Sequence, residues 1–388
     1  MPGNPPSLKV LVITGTWPPM RCGVGDYTAR LCRELARAGC RVQVVTSSAA
    51  DPADADGVEV KPVIRRWSWG MLDTVRRAAA AFGPDLALFQ WPTAAYGRFL
   101  AVNVLPSRLR RWFPGLPLVT TLHELRYFKA WTRWRALPAL HHSRRVVLVD
   151  PADRPVAAKL HPAGRGRLCH IPIGSNLPAA GAGFDREAGR RVLGLMPGDF
   201  AVAFFGFANP PKGLDCLLAA LAPLRSKRPE LKLLLLSELS ERDPYQRRLA
   251  RMLATSGLAA ITLRPGYAPA VQTAERLACA DCAVLPFQDG VSQKRGSLLA
   301  CMAQGLPVVT TAPAALESAQ GPFQNERNML MVNLDTASLA QAVERLMDDP
   351  GLRAGLGRGA LEASAQFDWK AIGRRYLELF HSVREGNL

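Results

Sequence analysis

Between Lys9 and Thr46 the chain sets two near-continuous apolar runs, KVLVITG and RVQVVT, on either side of a segment with helical spacing. Apolar runs that do not alternate with polar residues suit parallel strands covered on both faces. Parallel neighbours need a crossover, and residues 26–38 supply it. Tyr27, Leu31, Leu35 and Ala38 fall on one helical stripe, and Gly39 is the stop. Strand, helix and strand joined in this way form a right-handed βαβ unit, which commits the first half of the chain to a Rossmann-like α/β sheet.

The same reading predicts strands at 86–90, 118–122, 146–149 and 168–171. Around 173–184 the text turns to IGSNLPAAGAGF, a charge-poor linker. A second α/β series follows, with strands at 201–207, 231–237 and 261–264 and helices at 213–224, 245–256 and 270–280. A chain of 388 residues exceeds one ordinary core and fits two domains. The expected architecture is two Rossmann-like domains facing each other across a cleft, with ligands beyond the carboxyl ends of the strands.

The stretch 281–311, DCAVLPFQDGVSQKRGSLLACMAQGLPVVTT, carries the clearest chemistry. It reads as a strand at 283–286, a polar loop, a short helix at 298–304 capped by Ser297, and a strand at 307–311. Lys294, Arg295, Gly296 and Ser297 stand at the helix mouth, where unpaired N–H groups and two cations favour an anion such as phosphate.

Hydrophobic content of 48% with 21% charged residues excludes a disordered chain. No apolar run reaches bilayer length. The opening MPGNPPSLKV lacks the layout of a signal peptide, so the expectation is a cytoplasmic protein with reduced thiols. Cys279 and Cys282 form a lone CxxC without a second pair, which reads as packing rather than metal binding. Residues 1–180 hold 25 Lys+Arg against 11 Asp+Glu, and the rest 24 against 21. The basic excess of the first half points to an anionic partner, or else to a solvated basic face. In RYFKAWTRWR, residues 126–135, bases alternate with aromatics. Drawn as a helix, Tyr127, Phe128, Trp131 and Trp134 share one face, which suits either a membrane interface or a buried aromatic face. No nucleic-acid module accompanies it.

The segment LLACMAQGLPVV resembles the donor-binding signature of glycosyltransferase family 4, a GT-B family, through Met302, Ala303, Gly305, Pro307, Val308 and Val309. The two glutamates of that signature are replaced by Ser292 and Ala300. The opening TGTWPP–CGVGDYTARLCRELARAGCRVQVVTS is similar to the start of the same family. The resemblance implies a GT-B fold, retention of anomeric configuration, no essential metal and no cofactor beyond a nucleotide-sugar co-substrate. It implies that the tail, helical over 369–383, returns to the first domain. The domains would then be 1–177 with 369–388 for the acceptor, and 178–368 for the donor.

Residue by residue, the likeness implies donor contacts at Gly206 and Lys212, with Phe207 where the family has an arginine. Arg295, with Lys294, is the replacement cation. Glu238 and Asp289 are the acids available to replace the missing carboxylates. His123 ends a strand where the family places a histidine near the reacting sugar, which makes His123, Lys212 and Arg295 the catalytic candidates. Gly23 and Gly25 would let backbone approach a phosphate or sugar, and Gln90 and Tyr96 would shape the acceptor side. The expected partners are a nucleotide-sugar donor, a glycan, lipid-linked or small-molecule acceptor, and an anionic surface on the inner face of the cell membrane, in polysaccharide biosynthesis. The rival is an inactive GT-B protein that binds a glycan or partners an active enzyme. A dinucleotide-binding oxidoreductase is disfavoured because Thr28 stands where its third glycine belongs.

Overall fold

The computed structural model describes residues 7–51, 56–92, 94–126, 128–313 and 321–386. The chain divides into two compact units, Met1–Gly174 with Asp368–Leu388, and Ser175–Phe367.

The first unit is built on a seven-stranded parallel sheet. Its strands are β1 (Lys9–Ile13), β2 (Arg41–Ser47), β3 (Glu59–Ile64), β4 (Leu86–Trp91), β5 (Leu118–Leu122), β6 (Arg145–Leu148) and β7 (Leu168–His170), in the order β3-β2-β1-β4-β5-β6-β7. The helices α1 (Gly23–Arg37), α2 (Met71–Phe82), α3 (Ala101–Trp112), α4 (Leu137–His142) and α5 (Arg154–Leu160) complete the crossovers. The unbroken apolar run of β1 is explained by its two faces. Leu11 and Ile13 enter one core with Val75 of α2 and Leu105 of α3, while Val10 and Val12 enter another with Leu31 and Leu35 of α1. The sequence reading missed β3, an edge strand. It carries Glu59, Lys61 and Pro62, so it offers no apolar run and tolerates a residue without an N–H.

The second unit holds β8 (Phe200–Phe205), β9 (Leu231–Leu236), β10 (Thr262–Leu263), β11 (Cys282–Leu285), β12 (Val308–Thr311) and β13 (Leu330–Val332) in the order β10-β9-β8-β11-β12-β13, again parallel. Its helices are α6 (Arg186–Val192), α7 (Leu214–Leu221), α8 (Pro244–Thr255), α9 (Ala270–Ala278), α10 (Gly296–Ala303), α11 (Thr336–Asp348) and α12 (Pro350–Ser364). Cys279 and Cys282 are buried thiols, both pushed upward in pKa by burial.

The final helix, α13 (Trp369–Glu385), belongs to the first unit. Asp368 caps it by accepting from the Ala371 N–H, and its stripe Ile372, Tyr376, Phe380 and Val383 is buried against α1 and the sheet. The Tyr376 hydroxyl lies 2.8 Å from both the Tyr27 hydroxyl and Thr121 Oγ1, a buried relay joining α13, α1 and β5.

One local expectation fails. The described part, residues 128–135, does not form an amphipathic α-helix: a 3₁₀ turn spans Ala130–Ala136, and α4 begins only at Leu137. Phe128 stacks on Trp91 at 5.5 Å, whereas Trp131 and Trp134 are 72% and 51% exposed. Tyr127 lies outside the described residues.

Candidate functional site

In the second unit the strand order reverses between β8 and β11, and the chain bearing the predicted donor residues leaves the carboxyl ends of those two strands. Such a switch point opens a crevice between diverging loops. Gly206 follows β8 with φ of +131°, and a Cβ there would meet Ser297 and the Lys212 side chain at 3.5 and 3.9 Å. Lys212 then turns inward, because Gly213 takes a left-handed φ of +66° directly against Pro286.

Lys212 Nζ donates to Ser297 Oγ at 3.0 Å and lies 4.9 Å from the centroid of the Phe287 ring. The Arg295 guanidinium sits 4.5 Å from the same ring. Two cations therefore share one fully buried aromatic ring, an arrangement stabilised by the ring quadrupole but opposed by their mutual repulsion. Asp289 relieves part of that repulsion by forming an ion pair with Arg295, which is itself buried. Burial first, then Arg295 and Lys294, pushes Lys212 down to about 7, with Cys301 acting the other way.

Several predicted roles change here. Ser297 is not the N-cap: α10 begins at Gly296 after Arg295, no side chain caps it, and Ser297 instead receives the Lys212 ammonium. Asp289 is engaged by Arg295 rather than offered to ribose or sugar hydroxyls. Glu238 stands exposed two residues after β9. Lys294 is half-buried and close enough to influence Lys212. Phe287 was missed by sequence reading, although an aromatic residue two places beyond the apolar strand CAVL was the available signal.

In the first unit, His123 directly follows β5, and Gln90 lies near the end of the adjacent β4. Gln90 Oε1 accepts from His123 Nε2 at 2.7 Å, which places the ring proton on Nε2 and leaves Nδ1 as an acceptor. Tyr27 meets the imidazole edge-on at 4.9 Å. Burial holds His123 down at about 3, so the ring is neutral across the physiological range. The Gln90 amide nitrogen is buried with no hydrogen-bond partner, a donor left open beside the histidine.

Gly23 and Gly25 are not in a loop before the helix. They form the first turn of α1. A Cβ on Gly25 would come within 3.1 Å of Thr16, so its smallness serves the passage of the β1–α1 loop, while Gly23 faces open space. Tyr96 is also displaced from its predicted role. It is buried under the loop, donates to the Gln90 carbonyl at 3.0 Å and packs edge-on against Trp67. Among the described residues there is no group of three or more His, Cys, Asp or Glu suited to a metal ion, and no helix long and apolar enough to cross a membrane.

Two parallel Rossmann-like sheets, one with a cationic pair at its switch point, have the fold of solved GT-B glycosyltransferases. The chain is, more particularly, a family 4-like glycosyltransferase: residues 22–177 match the family model described as Glycosyltransferase Family 4, and residues 199–349 match Glycosyl transferases group 1. A D-inositol 3-phosphate glycosyltransferase of Pseudarthrobacter chlorophenolicus is 29% identical over 284 residues, covering 69% of this chain and 66% of the relative, just short of two thirds of its length. Among solved structures, sucrose-phosphate synthase from Thermosynechococcus elongatus superposes with a TM-score of 0.78 at 21% identity, covering 98% of this chain and all of that one. Anabaena HepE, solved with UDP and glucose, gives 0.76 at 19% identity, with 97% and 100% covered.

Proposed function

We propose that the chain transfers a glycosyl residue from a nucleotide sugar to a small-molecule, lipid-linked or glycan acceptor, with retention and without metal. The observation that carries this reading is the pair Lys212 and Arg295 over Phe287. Glycosyl transfer from a nucleotide sugar breaks the bond between the anomeric carbon and the diphosphate oxygen, so negative charge builds on that oxygen. Two preorganised cations near a helix N-terminus stabilise that charge where it appears. Arg295, held by Asp289, takes the place of the arginine that Phe207 replaces. Gly206 allows the phosphates close approach to the backbone. His123, neutral and with its Nε2 proton committed to Gln90, positions sugar or acceptor hydroxyls through Nδ1 rather than acting as an acid.

The likeness to D-inositol 3-phosphate glycosyltransferases makes a phosphorylated polyol the first acceptor to test. The structure solved with UDP makes UDP-sugars the first donors. Cytoplasmic residence at the inner face of the membrane belongs to the same reading and is supported by the basic first half and the exposed Trp131 and Trp134.

The test is a thermal-shift panel of UDP-, GDP- and ADP-sugars, followed by transfer assays with the donor that binds. A shift with one nucleotide class and transfer to an acceptor are expected. If no nucleotide sugar raises the melting temperature, the reading fails. Binding with neither transfer nor hydrolysis would favour the silent, glycan-binding alternative, to which the lost glutamates at Ser292 and Ala300 lend support.

A further inference from the structure

A groove of about 1460 Å³ lies in the first unit at the amino ends of β4, β5, β6 and β7, the end of the sheet opposite His123 and Gln90. Five arginines line it: Arg110, Arg144, Arg145, Arg167 and Arg384. They come from α3, the α4–β6 connection, β6, the 3₁₀ turn before β7, and α13, so the cluster is assembled by tertiary structure rather than by one charged run. None of the five has a carboxylate partner among the described residues. Arg145 donates to the Gly166 carbonyl and Arg167 to the His141 carbonyl, while Arg145 Nε is buried with no partner. The one acid in the lining, Asp85, accepts from the Lys9 N–H.

Helix C-termini explain only part of this charge. The ends of α2, α3, α4 and α13 border the groove, each equivalent to about half a negative charge. Four such ends and Asp85 offset roughly three of the five positive charges. A surplus remains in a concave site larger than one phosphate needs, because small-ligand pockets run to about 300–1,000 Å³. Arginine is also the side chain best matched to phosphate, through its fork of N–H donors.

We propose that this groove binds a multiply phosphorylated anion, either a soluble polyphosphorylated molecule or the headgroups of an anionic lipid layer. The site is independent of the proposed transfer reaction and lies at the opposite end of the first sheet from His123 and Gln90. Two probes on the full chain separate the sources: sodium tripolyphosphate by calorimetry, and vesicles of phosphatidylglycerol in phosphatidylcholine by co-sedimentation. Binding of either probe should fall at least about tenfold in the double variant Arg144→Glu/Arg384→Glu, as expected when charge-assisted contacts are lost. Arg251→Glu/Arg358→Glu in the second unit changes net charge equally and should retain most of the binding. Tripolyphosphate binding alone identifies a soluble ligand, and vesicle binding alone identifies a lipid surface. Equal losses in both double variants, or no binding of either probe by the unaltered chain, overturn the proposal. Should the charge reversal fail to fold, Arg144→Gln/Arg384→Gln replaces it, with nucleotide-sugar thermal shifts as the folding control.

Discussion

Lys212 sits where small changes of pH change its charge, because burial and Arg295 bring it to about 7. The protonated form attracts a diphosphate and the neutral form does not. Nucleotide-sugar affinity should therefore weaken as pH rises from 6.5 to 9, by up to about tenfold per unit above the lysine's pKa. Calorimetric dissociation constants across that range check this, and Lys212→Met should flatten the profile. A flat profile in the unaltered protein would remove the lysine from the site. Arg295→Ala should weaken binding by about 10- to 100-fold, the loss typical of a charged hydrogen-bonding partner. An unchanged dissociation constant sinks that assignment. His123 gives a different pH signature. Its folded pKa of about 3 lies below the unfolded value, so the unfolded chain takes up the proton first as pH falls through 6.5. The stability it confers is full above that pH and drains toward pH 3, at up to about 1.4 kcal/mol per unit. Denaturant titrations between pH 7 and 4 should show a steeper decline in the unaltered protein than in His123→Gln.

At the scale of elements, the loop after β8 depends on Gly213. Its φ of +66° and the 2.0 Å that would separate a Cβ from the Pro286 oxygen mean Gly213→Ala must shift the turn that carries Lys212. The backbone alone costs about 1–3 kcal/mol. Lower melting temperature together with weaker nucleotide binding is the expected result, and unchanged binding would mean that the turn does not set the lysine. Much of this level was readable in the sequence. The strand 118–122 and the helix stripe of 369–383 carry their own period, and both appear as read. Residues 128–135 did not, because a periodic aromatic pattern also suits a 3₁₀ turn whose side chains diverge. Ser297 was a good capping residue by type, yet a lysine 85 positions earlier in the chain claims its hydroxyl. The partnership of Phe287 and Asp289 with Arg295 is likewise tertiary and invisible to local pattern.

For the whole molecule, the chain visits the first unit twice. Tyr376→Phe leaves the hydroxyls of Tyr27 and Thr121 without their shared buried partner, a cost of about 1–3 kcal/mol. A fall in Tm of roughly 2–4 °C per kcal/mol is expected for a unit of this size. Truncation after Phe367 removes the buried stripe Ile372, Tyr376, Phe380 and Val383. Amide exchange in that truncated chain should show lost protection across α1 and the first sheet, with the second unit still protected. Retained protection in α1 would show that the first unit is complete without its last helix.

That last helix also sets an order of events on the ribosome. Met1–Gly174 is synthesised before Ser175–Phe367, so α1 stands without α13 until the whole second unit has been made. At about 5–20 residues per second, synthesis of Ser175–Phe367 inserts a delay of roughly 10–40 s. During that interval Tyr27 lacks the hydroxyl of Tyr376 and the ring of Trp369. The first unit is therefore completed only after the second has been made, and its yield in a cell depends on how long α1 survives without its partner helix.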